Sequence, residues 1–469
     1  MLLAVRSVSR AGFLISLCTI LLGCETYQPS PLDEAPRLIA DPAALVHTLP
    51  QGWPDRAGVH IDPTKPLDAA GFALLAVENN PDLLGARADR GIAEAQVLQA
   101  GLLPNPQLSG NYGMLLGGPA NFDSWTAGFG QDIKSLLTLS AQRAAARLDA
   151  RKVDADLLWQ EWQVIGKARL LYVDAVEQEK LHGLLLENRA LFAARSERSR
   201  DALAAGNIDL ATASPDLTAL GDLDKQIDDL DRQMLSRQHD IDALLGLAPD
   251  IRLRFVGRID LPPIDPVAIE GALATLPQRR PDLVALQLAY GAEEEKVRGA
   301  ILAQFPALVF GGTGGSDTSH VLTFGPQITL DLPIFNRNQG NIAIERATRQ
   351  KLHDEYRSRL NAAAGEVTAM LREQTLLERQ VAAVRQALAE ASGIADRADR
   401  AFRVGNIDER SYVDLQMVRP GKQQELVALD QQMLERQVAM ATLTGAGMPA
   451  IALPSADAPS PNRTTHGAE

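Results

Sequence analysis

The chain has 469 residues, a formal net charge of −13, 46% apolar residues and only 4% aromatics. An acidic chain is a poor partner for nucleic acid, whose recognition rests on phosphate contacts, and the ordinary apolar fraction argues for a folded chain. The length exceeds one ordinary compact core, which leaves a repeated or elongated architecture.

In chain order, the N-terminus reads as an export signal. Arg6 and Arg10 give a positive start, and residues 11–22 form an apolar run too short to span a bilayer. The run ends in LLGC, closing on Cys24. Small or branched apolar residues before a cysteine resemble a bacterial lipobox, which implies lipid on the Cys24 thiol and a mature chain starting there; the plainer alternative is a secretory signal with a chance cysteine. In that resemblance an aspartate after the cysteine favours the inner membrane, so Glu25 favours the outer one. Cys18 would leave with the signal, so no disulfide or thiolate metal site is expected in the mature chain, whose charge becomes −15. The expected divisions are a signal peptide at 1–23, an extended segment at 24–66, a first structural repeat at 67–262, a second at 263–450 and a disordered tail at 451–469 rich in Pro, Ser and Thr.

The two repeats follow from matches at nearly one offset. NPDLL at Asn80 answers RPDLV at Arg280, and NPQL at Asn105 answers FPAL at Phe305, each 200 residues later. Gly-Asn-Ile-Asp occurs at 206–209 and again at 405–408, and LLGLAP near Gly246 answers LTGAGMP near Gly445, both at 199. Four matches in one order point to tandem duplication of a domain-sized unit.

Each half opens with a helix, 82–102 and 282–304, stopped by prolines. Strand candidates follow. Leu108, Gly110, Tyr112 and Met114 alternate with Gln107, Ser109 and Asn111; Trp125, Ala127, Phe129, Gln131 and Ile133 share a face. In the second half ALVFGG is followed by a run in which Leu322, Phe324, Ile328, Leu330 and Leu332 oppose Thr323, Gln327, Thr329 and Asp331. One apolar and one polar face suits a membrane barrel and suits a half-buried soluble sheet equally well. Pro326 weakens the last strand by one ladder bond. GGTGG at Gly311 lacks the ending of a phosphate loop and reads as a flexible connection.

Long helical runs come next, 139–203 and 341–402. In the second, fourteen positions from Tyr356 to Phe402 alternate spacings of four and three and all but Gln374 are apolar, which predicts left-handed supercoiling with a neighbouring helix. Gly-Asn-Ile-Asp sits where each run stops. Gly supplies a left-handed cap and Asp or Asn can accept from the amides of the following helix, so the motif predicts the bend of a helical hairpin, made once per half. Pro420 and Gly421 predict a kink in the last helix. The seven histidines have no ligand spacing, and no nucleophile–base set stands out. No cofactor, no metal and no enzymatic activity are expected.

Four strands cannot close a barrel, and open edges are not tolerated in lipid. Copies must combine, into eight, twelve or sixteen strands. RRPDLVALQ at Arg279, LDLPIFNRNQGNI at Leu330 and RVGNID at Arg403, in their duplicated frame behind a lipobox, resemble the TolC-like outer membrane efflux family, in the flavour of its heavy-metal-efflux, CzcC-like members. The resemblance implies a mainly helical fold with membrane β-structure: a homotrimer sharing one twelve-stranded barrel in outer-membrane lipid, above a periplasmic tunnel of long hairpins. It implies a passive exit duct, with metal cations as cargo, fed by an inner-membrane pump of the RND type through a periplasmic adaptor. The bends would meet the adaptor through Gly206, Asn207, Ile208, Asp209, Arg403, Gly405, Asn406, Ile407 and Asp408, and Asp408 with Asp414 would line a narrow mouth. A drug or small-molecule duct of the same fold, and a non-channel periplasmic coiled-coil lipoprotein, are the alternatives.

Overall fold

The computed structural model describes residues 27–45, 61–118, 122–261 and 265–446. The signal segment with Cys24 and the tail 451–469 lie outside the described residues. Contacts separate Met1–Leu38 from Ile39–Glu469, and the duplicated architecture belongs to the second of these units.

The duplication is visible element by element. The first half runs α1 (Ala69–Asn79), α2 (Pro81–Gly101), β1 (Gln107–Gly113), β2 (Ser124–Asp132), α3 (Ile133–Ala204) and α4 (Leu210–Leu245). The second runs α5 (Pro266–Arg279), α6 (Pro281–Leu302), β3 (Leu308–Ser316), β4 (Leu322–Leu330), α7 (Gln339–Arg403), α8 (Glu409–Gln416) and α9 (Val418–Thr444). The repeated Pro-Asp-Leu motifs start α2 and α6 with proline in the first turn, where its missing N–H costs nothing. Asn80 caps α2 by accepting from Leu83 N, whereas Arg280 in the same place pairs with Asp282 at 2.7 Å and lies 5.0 Å from the Trp159 ring.

Sequence periodicity misses α1 and α5. Helix α1 is buried on nearly every side, from Phe72 to Val77, so it shows no amphipathic period. It packs with Tyr172, Ile241, Leu244 and Leu245 in the main apolar cluster, where Phe255 meets Phe72 and Tyr172 edge-on at 5.1 and 5.5 Å. The Tyr172 hydroxyl lies 2.7 Å from the Val256 carbonyl and 3.0 Å from that of Arg258.

The long helices are longer than expected. Helix α3 begins at Ile133, not near 139, because the Asp132 carboxylate accepts from Ser135 N at 3.3 Å and turns the end of β2 directly into a helix. Its 72 residues extend about 108 Å. Along α7, nine of the fourteen periodic positions are buried, and α9 packs against this helix. Helix α4 runs unbroken through Pro215. The last helix instead breaks at Met417: Pro420 cannot donate to the carbonyl of Gln416, and α8 ends there.

The strands form one antiparallel sheet in the order β1-β2-β3-β4, joining the two halves through β2 and β3. GGTGG is not a loop. It lies inside β3, where a Cβ at Gly311 would fall 1.8 Å from the Phe129 carbonyl oxygen, so glycine is what the close approach to β2 requires. Register aligns Leu108 with Phe129, Tyr112 with Trp125, Gln131 with Phe310, and Phe310 with Ile328. The expected alternation therefore becomes an exposed, mainly apolar face containing Leu108, Tyr112, Phe129, Phe310, Phe324 and Ile328, with Gln131 beside Phe310. The opposite face carries Gln107, Ser109, Thr126, Thr313, Gln327 and Thr329 with several glycines. Among the described residues no helix is long and apolar enough to cross a membrane.

Candidate functional site at the paired helical bends

Both Gly-Asn-Ile-Asp motifs build the same turn. Gly206 and Gly405 have φ of 71° and 75°, a region open to glycine at little cost. Asn207 N donates to Ala202 O at 2.8 Å and Gly206 N to Leu203 O at 3.0 Å; Asn406 N and Gly405 N repeat the pattern on Ala401 O and Phe402 O at 2.9 and 3.0 Å. These paired bonds are Schellman caps that satisfy the last carbonyls of α3 and α7. Asp209 then caps α4, accepting from Thr212 N at 2.8 Å and Thr212 Oγ1 at 2.6 Å. Asp408 caps α8, accepting from Ser411 N at 2.7 Å and Ser411 Oγ at 3.1 Å. Each set of bonds favours the charged form: the Thr212 hydroxyl foremost holds Asp209 below the usual carboxylate range, and the Ser411 amide does so for Asp408.

The two bends lie together. Arg410, just past the second, donates to Thr212 O beyond the first at 3.4 Å. Phe402 and Tyr412 stack across the second bend at 4.6 Å. A cavity of about 340 Å³ opens between the bends, lined by residues including Arg195, Ile208, Asp216, Asp408 and Arg410. Asn207 and Asn406 are exposed, Ile208 and Ile407 half-buried. Arg403 is exposed and pairs with Asp399 at 2.7 Å.

Asp414 has a partner that the sequence did not disclose. Arg195 of α3 reaches it at 2.6 Å and reaches Asp216 of α4 at 2.8 Å. Asp216 is 4% exposed and also accepts from the Ser199 hydroxyl. One guanidinium thus ties the first hairpin to the helix after the second bend. Arg195 and Asp216 carry no motif; only the fold brings them to Asp414. Among the described residues no group of three or more His, Cys, Asp or Glu side chains is placed to hold a metal ion.

Residues 272–446 match the family model described as outer membrane efflux protein. The chain is 25% identical over 466 residues to the pyoverdine export outer membrane protein OpmQ of Pseudomonas putida, covering 92% of this chain and 97% of that one. It is 26% identical over 327 residues to the outer membrane protein OprJ of Pseudomonas aeruginosa, covering 66% and 65% of the two chains. The fold is shared with a crystal structure of CusC described in terms of folding and transmembrane channel formation: the TM-score is 0.65 at 18% identity, over 89% of this chain and 99% of that one. These descriptions are of export and channel proteins, and the reading of the chain as non-enzymatic agrees with them.

Proposed function

We propose that the chain belongs to the TolC-like outer membrane efflux family, a reading supported by the family model over residues 272–446, and that three copies form an exit duct through the outer membrane. Each copy contributes four strands to one twelve-stranded barrel and two long hairpins to a tunnel below it. The observation that carries this reading is the sheet. It has an exposed apolar face, a polar and glycine-rich face, and two edges, at β1 and β4, that are unpaired among the described residues. That pattern fits lipid outside and water inside, with the edges closed by neighbouring copies. Cys24 carries lipid and anchors each chain to the same membrane.

The bends form the periplasmic mouth and meet a periplasmic adaptor, which couples the duct to an inner-membrane pump of the RND type. Three copies place Asp408 and Asp414 in a ring around that mouth. Charges that converge on a constriction attract cations, so the resting duct is cation-selective and open to block by divalent ions. For cargo we propose metal cations, on the CzcC-like resemblance of the sequence. The name of the pyoverdine-exporting relative favours the second reading, a duct for small organic molecules. Deleting the gene tests the duct and separates the cargoes: sensitivity to divalent metals supports the first, sensitivity to lipophilic antibiotics the second, and unchanged sensitivity to both argues against an export role.

A further inference from the structure

The paired strands are short for the membrane that the sheet would cross. Strand β4 has nine residues and β1 seven. At about 3.4 Å per residue and a tilt of about 40°, nine residues rise about 23 Å and seven about 18 Å, against an apolar band of about 25 Å on outer-membrane barrels. The missing height corresponds to about one residue in β4 and about three in β1.

All four strand–helix junctions lie at one end of the sheet, where Gln107 pairs with Gly130, Asp132 with Val309 and Leu308 with Leu330. Three of them expose large apolar side chains. Leu102 and Leu103 precede β1, and Phe305 precedes β3, each more than half exposed. After β4 come Leu332, Ile334 and Phe335, exposed at 62%, 65% and 91%. The backbone explains why Leu332 joins the apolar face. Asp331 N donates to Ala307 O at 2.9 Å, one rung beyond the strand, so Leu332 keeps the parity of Ile328 and Leu330 while Asp331 takes that of the polar face. Ile334 N then turns back on Leu332 O at 2.8 Å. The apolar run stops at Phe335 and gives way to Asn336, Arg337 and Asn338.

We infer that these junctions are part of the membrane surface: Leu102, Leu103, Phe305, Leu332, Ile334 and Phe335 lie in the inner-leaflet acyl region, and the polar residues after Phe335 mark the headgroup level. The occupant is lipid rather than a second copy. At β4 the apolar face continues from the sheet through Leu332, and a neighbouring copy closes a sheet through its edges, in the sheet plane, leaving the face uncovered. This inference rests on the barrel reading above.

The test uses the full chain with Cys24→Ser and a single introduced cysteine carrying an environment-sensitive fluorophore, reconstituted into vesicles with brominated acyl chains. Phe324→Cys reports on the sheet, Phe335→Cys and Leu103→Cys on the junctions, and Arg357→Cys on the helical part. The expected result is loss of most fluorescence at 324, 335 and 103, with bromines near the headgroup most effective at 335, and no loss at 357. Loss at 324 alone overturns the inference and leaves the barrel standing; a junction label then shielded from aqueous iodide means that a second copy covers it. No loss at 324 overturns the barrel and the inference together.

Discussion

Arg195, deep in the first long helix, pairs with Asp414, which lies just past the second bend, at 2.6 Å. The same guanidinium holds Asp216, which is 4% exposed. The two ends of this bridge are unequal, because Asp414 keeps about half its side chain in solvent. Removing the cation strands a buried carboxylate, so Arg195→Ala should cost about 3–5 kcal/mol. Asp414→Asn should cost under about 1 kcal/mol, as an exposed pair does. Thermal unfolding gives the ranking. Hydrogen exchange should show the Arg195 variant opening first around 195–216 and 409–416; equal losses from both substitutions would mean that Asp216 has other support.

The acidic residues of the mouth invite a conductance measurement. Replacing Asp408 and Asp414 together with Ala should raise single-channel conductance in a planar bilayer and weaken block by divalent cations. Asp408→Ala also removes a helix cap, at about 1 kcal/mol. An assembled double variant with unchanged conductance, selectivity and block would reduce both residues to a cap and a pair.

Stability should fall as pH rises through neutrality, because of Glu293. Its side chain is 4% exposed, and Oε1 has no hydrogen-bond donor. Burial first, and then the neighbouring Glu345 of α7 and Asp149 of α3, push its pKa up to about 7 against the help of Lys296. A carboxyl raised on folding favours the native state while protonated. That contribution is complete below about pH 4.5 and is lost as pH rises through about 7. Glu293→Gln should leave stability at pH 5 nearly unchanged and raise it at pH 8 by on the order of 2 kcal/mol, read from melting temperatures at the two pH values. A variant less stable at pH 8 would show that the ionised carboxylate pairs favourably with Lys296.

The sheet should fail at one glycine and tolerate change at another. Gly311→Val drives a side chain into the Phe129 carbonyl, whereas nothing lies within 4 Å of a Cβ at Gly325. The first substitution should abolish the assembled oligomer on native gels and Gly325→Ala should preserve it. Equal assembly would mean that β2 and β3 separate in the membrane.

These residues also mark what was legible in the sequence. Local rules were readable because their partners are near in sequence: the Gly-Asn-Ile-Asp bends, their aspartate caps, the alternating strand faces and the seven-residue period of α7. The buried helix α1 has no period to read. GGTGG reads as a loop because glycine is a poor strand former, and its reason appears only once Phe129 is beside it. Arg195 and Asp414 are both ordinary charged helix residues until the two hairpins are laid side by side.

Native mass spectrometry of the full-length protein in a mild detergent bears most directly on the shared barrel. Open edges at β1 and β4 require copies to combine, and the family reading sets the number: one dominant species of three copies is expected, retained when Cys24→Ser removes the lipid site. A monodisperse monomer, intact and folded by circular dichroism, would contradict it.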